Sequence, residues 1–457
     1  NKVPENMKKM TRSRRSFLTT TLAAGITSFA APYIKTSHSA GKLKMGVWDH
    51  WIPGTNEALK VILDKWAIAN GVEVEVDLIP SAGNKILLTA QAESRAKTGH
   101  DIYILGSWMP TMFAHRLEPL DDVVEDILAS EGPMVPLAEY LAKVDGVWRA
   151  SPSPVGSQTH GMISRLDLYE KYAGIDLQEI FPGPGQERNS DLVDAWDYDA
   201  LLEAGQKLHA AGHGIGGPLA ATGDASFWVA PVFAAHGAEL VNKDGDIVVD
   251  SNEVRAVLEY LSKLALTMPE SVYAWDDAGN NRWMISGQGS SVFNPPSPWN
   301  VAKRDAPQFA EQMWCHDLPR GPHGRYRNFI PQFWGIWDFS ENISAAKDLL
   351  RHVATRDVTY QMSQASTGYD VPLLISHAEG NDVWEKAGPP PGAIYNYPIR
   401  GDEIGIAPGY PAPPPIAAQI MAQGIFPNLV SRVTAGGDSI DEGIRWAANE
   451  LEAVMRV

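Results

Sequence analysis

The sequence predicts an α/β fold, on three observations. After Gly41, short apolar runs alternate with amphipathic helical stretches, the pattern that layers helices on a sheet. The chain has 457 residues, enough for two or three domains or for two large lobes. Hydrophobic residues make up 44% and charged residues 20%, the balance of an ordinary globular chain.

Residues 42–48 read as a first strand and 72–79 as a second. Between them Leu59, Ile62, Leu63 and Trp66 share one helical face, with Thr55 to cap the start and Gly71 the end. A third strand is expected over 101–105. The loop after it, Gly106-Ser107-Trp108-Met109-Pro110, lies at a carboxyl strand end, where open α/β sheets bind ligands. Helices are expected over 198–211, 252–266 and 345–355, a buried strand over 289–294 and a strand over 329–337. Residues 371–415, with Pro389-Pro390-Pro391 and Pro413-Pro414-Pro415, read as an ordered surface wrap. Ser439 and Glu442 make a capping box for a last helix with Ile440, Ile444, Ala447, Leu451 and Met455 as its buried stripe.

Lys8, Lys9, Arg12, Arg14 and Arg15 precede an uncharged stretch over 16–34, a basic segment followed by an apolar one, as in an export signal. Its threonines, glycine and Pro32 make it too weakly apolar for an anchor. Ser13-Arg14-Arg15-Ser16-Phe17-Leu18 resembles the twin-arginine export motif, with Thr19 where a Lys is common. Cleavage after Ala30 or Ala40 and a start at Met7 or Met10 are both compatible with this reading.

Lys and Arg number 38 against 55 Asp and Glu, a formal charge of -17. That excess argues against nucleic acid as a partner, since such binding is mostly Lys and Arg neutralising phosphates. The single cysteine, Cys315, excludes an internal disulfide framework and a multi-cysteine metal site. The twelve His lack i, i+4 pairing around a Glu, so no zinc site is expected. Gly212-His213-Gly214-Ile215-Gly216-Gly217 lacks the spacing and the Lys-Ser/Thr of a phosphate loop. No Gly-x-Ser-x-Gly elbow occurs, and Cys315 has only His316 beside it, so it reads as an inert buried thiol. Neither a cofactor nor a catalytic residue is expected.

Fifteen tryptophans are more than a core of this size needs. Trp66, Trp148, Trp196 and Trp446 read as core; Trp48, Trp51, Trp108, Trp228, Trp299 and Trp334 fall in loops or at strand ends, beside small and polar residues. Sugar rings have apolar C–H faces and hydroxyl edges, so their sites combine flat aromatic platforms with hydrogen-bonding groups. The expected ligand set is therefore these six tryptophans with Asp49, His50, Ser107, Asn294 and Asp370. Loop stabilisation is an equal reading for Asp49, His50 and Asn294.

Read in order, Lys42-Leu43-Lys44-Met45-Gly46-Val47-Trp48, Gly99-His100-Asp101-Ile102-Tyr103, Asp167 to Gly174, His236-Gly237-Ala238-Glu239-Leu240, Ala278-Gly279-Asn280-Asn281, Leu318-Pro319-Arg320-Gly321-Pro322 and Gly368-Tyr369-Asp370-Val371-Pro372 resemble the extracellular solute-binding proteins of ABC importers, a family that includes maltose- and other sugar-binding receptors. Gly287-Gln288-Gly289-Ser290-Ser291-Val292 and the longer proline-rich tail depart from the family pattern. The resemblance implies a two-lobed, maltose-binding-protein-like fold with hinge crossovers: a first lobe over 41–156 plus 292–327, and a second over 157–291 plus 328–457. It implies a monomeric periplasmic receptor that captures a small polar solute, foremost a carbohydrate or polyol, and delivers it to permease subunits in the inner membrane. The alternatives are a secreted glycoside-acting hydrolase using acids near Asp276 and Asp277, or a receptor for a cationic amine or peptide caged by aromatics with Asp49, Asp277 and Asp370.

Overall fold

A computed structural model describes residues 41–395 and 401–456. The expected export segment over 1–40 lies outside the described residues.

Strand Lys42–Trp48, helix Pro53–Asn70 and strand Glu73–Ile79 form the expected βαβ unit, the strands pairing in parallel from Lys42 with Glu73 to Trp48 with Ile79. The helix buries Leu59, Ile62, Leu63 and Trp66 against the sheet. Gly71, at φ 65°, closes it by donating its N–H to the Ala67 carbonyl, a left-handed position suited to glycine. Thr55, however, caps nothing: Pro53 opens the helix at its first position, so Thr55 is already inside the first turn and buried.

The first sheet runs Glu73–Ile79, Lys42–Trp48, Ile102–Gly106, Gln332–Ile336, Ser151–Pro152, the last two joining antiparallel. A second sheet runs Met313–His316, Gly161–Arg165, Ser291–Asn294, Ile215–Gly216. A third, Ile404–Ile406, Tyr326–Ile330, Gln158–Thr159, includes a strand unexpected within the proline-rich wrap.

Sheet membership does not follow the order of the chain. Residues 291–294 and 313–316 flank Gly161–Arg165 in the second sheet, whereas Gln332–Ile336 lies inside the first. The single strand expected over 329–337 is two strands in different sheets, broken at Pro331. Proline donates no ladder hydrogen bond, so it ends one strand and lets the chain cross to the other sheet. Helix Ile343–Val353 then packs on Asp121–Glu131 with the first sheet, tied by Lys347 to Asp122 at 3.0 Å and Arg351 to Asp126 at 2.8 Å.

Helices Tyr198–Ala210 and Asn252–Ala265 form as expected. The capping box of Ser439 and Glu442 opens the last helix, Ile440–Met455. Its buried stripe ends on Val454, and Met455 is exposed. Trp66, Trp148 and Trp196 are buried, and Trp446 is half-buried under the Arg432 guanidinium. Among the described residues no helix is long and apolar enough to cross a membrane.

Candidate functional site

A cavity of about 230 Å³ opens between the first sheet and the elements of the other two. From the first sheet come Trp48 at the end of its strand, Trp51 in the following loop, Ser107 after Ile102–Gly106, and Gln332. Across from them stand His160, Thr222, Asp224, Phe227, Asp277 and Asn294. Tyr369, Gln158 and residues 421–424, the end of helix Pro414–Ala422 and the turn after it, complete much of the rest. Carboxyl strand ends thus supply one wall, as the topology of open α/β sheets favours.

Local backbone geometry positions these groups. The Gln332 side chain lies over two glycines: a Cβ at Gly106 would stand 3.0 Å from its Oε1, and one at Gly156, itself at φ +91°, 3.0 Å from its Cγ. The Gln332 N–H donates to Ser157 Oγ at 2.9 Å and its carbonyl accepts from Ser153 N–H at 3.1 Å, fixing it to the crossover strand. Ser107 has the unusual φ of +50° for a non-glycine and donates its N–H to the Pro331 carbonyl at 3.1 Å. Asn294 accepts from Asn280 Nδ2 at 3.0 Å and donates to Ser297 Oγ at 2.8 Å, which in turn donates to Asn281 Oδ1 at 3.0 Å.

Of the expected site residues, Trp48, Trp51, Ser107 and Asn294 line this cavity. The others do not. Asp49 accepts from Asn56 Nδ2 at 2.9 Å on the surface. His50 takes the Ile52 N–H on Nδ1 at 2.9 Å, so its Nε2 donates to Asp370 Oδ1 at 3.0 Å, and the same oxygen accepts the Gly156 N–H at 2.7 Å. Asp370 and His50 are therefore a buried clamp joining the first ligand loop to a crossover. Trp108, Trp228 and Trp299 donate their indole N–H to the carbonyls of Pro408, Pro218 and Pro389, at 2.6, 2.8 and 2.8 Å. Trp228 also stacks on Phe293 at 4.7 Å, and Trp299 lies under the Lys303 ammonium at 3.8 Å. Trp334 is wholly buried in the middle of the first sheet.

The physical reason is clearest at Phe227-Trp228. These residues sit in helix Gly223–Ala235, not in a loop, and successive helical side chains point about 100° apart. Phe227 consequently faces the cavity while Trp228 enters the core. Sequence reasoning also missed His160, Gln332 and Asp224; no pattern local to them marks them, although Tyr369 stands within a motif already singled out.

Charge on the wall is acidic. Burial, then Asp277, pushes the Asp224 carboxyl well above the ordinary range, although Asn280 hydrogen-bonds to it. Burial and the neighbouring Asp276 push Asp277 up to about 6. Asp276 itself is exposed, held low by the Arg282 guanidinium 2.6 Å away; it stands away from the cavity, not as the reacting acid of a hydrolase. Burial, then Arg327, pushes His160 down to about 3, so its imidazole is neutral at physiological pH. Among the described residues no Lys or Arg lines the cavity. Among the described residues no group of three His, Cys, Asp or Glu side chains is arranged to hold a metal ion.

The fold has close counterparts among solved structures. A maltose-bound MalE3 of T. maritima superposes with a TM-score of 0.71 at 19% identity, covering 91% of this chain and 100% of that one. An ABC transporter solute-binding protein from Thermotoga lettingae, bound with α-D-tagatose, gives 0.72 at 17% identity over 91% and 100% of the two chains. One from Agrobacterium vitis, with bound D-mannitol, gives 0.66 at 18% identity over 91% and 99%. The architecture is thus that of the two-lobed, maltose-binding-protein-like fold. No curated protein sequence matches the chain. The sequence pattern of the bacterial extracellular solute-binding proteins matches residues 53–360, two-thirds of the chain, and the protein belongs to that family of receptors rather than to an enzyme family.

Proposed function

We propose that the protein captures a small carbohydrate or polyol in the cavity between its lobes and hands it to the permease subunits of an ABC importer. The observation that carries this reading is the pairing of aromatic residues Trp48, Trp51, Phe227 and Tyr369 with amide, hydroxyl and carboxyl groups, on a wall that has no Lys or Arg among the described residues. Aromatic faces suit sugar C–H surfaces, and convergent polar groups set orientation. The sugars and the polyol held by the similar structures support the same class.

A cationic amine is the second reading, favoured by Asp224 and Asp277 on the wall. Burial and the charge of Asp277 both disfavour an ionised Asp224, and a carboxyl that keeps its proton can donate to a neutral hydroxyl as well as accept from one. We further propose that the receptor works as a periplasmic monomer, exported through the twin-arginine route on the signal around Arg14 and Arg15. Lobe closure would be the two-state element read by the permease, and a solute shifts it only by binding the closed form better.

Thermal-shift screening against sugars, polyols and amines, followed by calorimetry, tests the ligand class, because any solute bound to the native state raises its melting temperature. Stabilisation by neutral polyhydroxy compounds is the expected result. Stabilisation by amines alone would replace it with the second reading.

A further inference from the structure

The molecule pairs the acids it buries most deeply. Glu93, Asp317, Asp370 and Glu403 are each more than nine-tenths buried, and each has a His or Arg nitrogen within 3.4 Å of its carboxyl group. Charge taken out of water is ordinarily compensated in this way. Asp224 and Asp277 depart from the rule. Both are half-buried residues of the cavity wall, burial disfavours the charge of each, and among the described residues no basic group counters it.

We propose that Asp224 and Asp277 couple capture to the proton: a neutral solute that covers the pair is bound together with a proton from solution, which takes the place of the cation missing from the wall. The inference rests on the carbohydrate reading above. Asp224 is the second residue of helix Gly223–Ala235, whose start favours an anion, and it accepts a hydrogen bond from Asn280. The charges of Asp277 and Asp276 oppose that anion. Asp276 engages Arg282 at 2.6 Å on the surface, so this guanidinium is spent outside the cavity. The other titratable side chains of the wall are His160, packed on Phe227 and neutral through burial and the Arg327 charge, and the Tyr369 phenol. A solute seated on the wall displaces water that screens the two carboxyls, and repulsion between like charges grows as the local dielectric falls. One proton relieves that repulsion. It also leaves a carboxyl donor beside a carboxylate acceptor, a set that suits hydroxyls. Binding that takes up a proton weakens as protons become scarce, so affinity for a neutral solute falls as pH rises above about 6, where Asp277 titrates in the free protein. A solute carrying an ammonium group needs the pair ionised and would show the opposite slope.

The test uses the mature protein and a panel of D-mannitol, D-tagatose, maltose and laminaribiose, with 1-amino-1-deoxy-D-mannitol as the cationic probe. Calorimetry on the tightest neutral binder, at pH 5.5, 6.5 and 7.5 and in buffers of different ionisation enthalpy, reads affinity and proton exchange together. Net proton uptake is expected, with affinity about 3- to 10-fold lower at pH 7.5 than at pH 5.5. Replacing both acids, Asp224→Asn with Asp277→Asn, should flatten the pH profile and remove the proton exchange; a slope that persists in a folded double variant would overturn the assignment to this pair. Melting curves report whether that variant folds, and the measurement on the parent protein stands if it does not. If the parent binds a neutral sugar with no proton uptake and no pH slope, the inference is overturned and the carbohydrate reading survives. Tighter binding of the amino compound than of any neutral solute, strengthening toward pH 7.5, would overturn the inference in favour of a cation on the pair. If the parent binds none of the four neutral solutes, the carbohydrate reading falls and takes the inference with it.

Discussion

Asp277→Asn should make the solute-free protein more stable at pH 8 and leave it unchanged at pH 3.5. Burial and the charge of Asp276 raise the Asp277 carboxyl to about 6, from its ordinary 3.8. The folded state therefore holds this proton more tightly than the unfolded chain does. It follows that the parent loses stability as pH rises from about 4 to about 6, and the loss persists above that window. About two units at ~1.4 kcal/mol each gives a ceiling near 3 kcal/mol. Asp277 is only half-buried, and solvent screening reduces that to about 1–2 kcal/mol. Asn is nearly the same shape and never ionises, so it removes this cost without opening a cavity. Urea unfolding of both proteins without solute, at pH 3.5, 5 and 8, reads the difference directly. A gain of the same size at every pH would refute charge desolvation as its cause, and a loss at pH 8 would refute the whole reasoning.

Other perturbations separate wall from core. Phe227→Ala should weaken binding of the best neutral sugar by about 1–2 kcal/mol with little change in melting temperature, because Phe227 faces the cavity. Trp228→Ala should instead cost about 3–5 kcal/mol of stability, since it empties core volume beside Phe293 and strands the Pro218 carbonyl; equal effects of the two on binding would contradict the assigned faces. Asp370→Ala removes the acceptor shared by His50 and Gly156 and should destabilise the fold by about 2–4 kcal/mol in chemical denaturation, whereas normal stability with lost affinity would return Asp370 to the ligand set. Replacing Arg14 and Arg15 by Lys should strand precursor in the cytoplasm, and undiminished export of that variant would exclude the twin-arginine route.

Local elements were legible because their causes are local. The stripe of Leu59, Ile62, Leu63 and Trp66, the left-handed Gly71 and the capping box at Ser439 are all written within a few residues of sequence. Sheet membership is not. Ser291–Asn294 and Gln332–Ile336 read alike as apolar strands, yet one pairs with Gly161–Arg165 and the other with Ile102–Gly106, more than a hundred residues away in each case. The cavity wall holds Ser107, which was expected there beside Trp108, and also Phe227 and Tyr369, each the chain neighbour of an expected residue, Trp228 and Asp370. A tryptophan in a polar neighbourhood signals an aromatic cluster, but which neighbour turns outward depends on helix phase and on where the indole N–H finds a carbonyl. His160 and Gln332 owe their positions to the crossovers between sheets, so nothing adjacent in the chain announces them.

The most direct measurement is a crystal structure of the protein grown with the tightest neutral solute from the screen. The account predicts that solute between the lobes, its ring faces against Trp48, Trp51 or Phe227 and its hydroxyls on groups of both walls, chemically identical to what was added. A solute bound elsewhere on the surface, or a cleaved or oxidised product in the cavity, would contradict it.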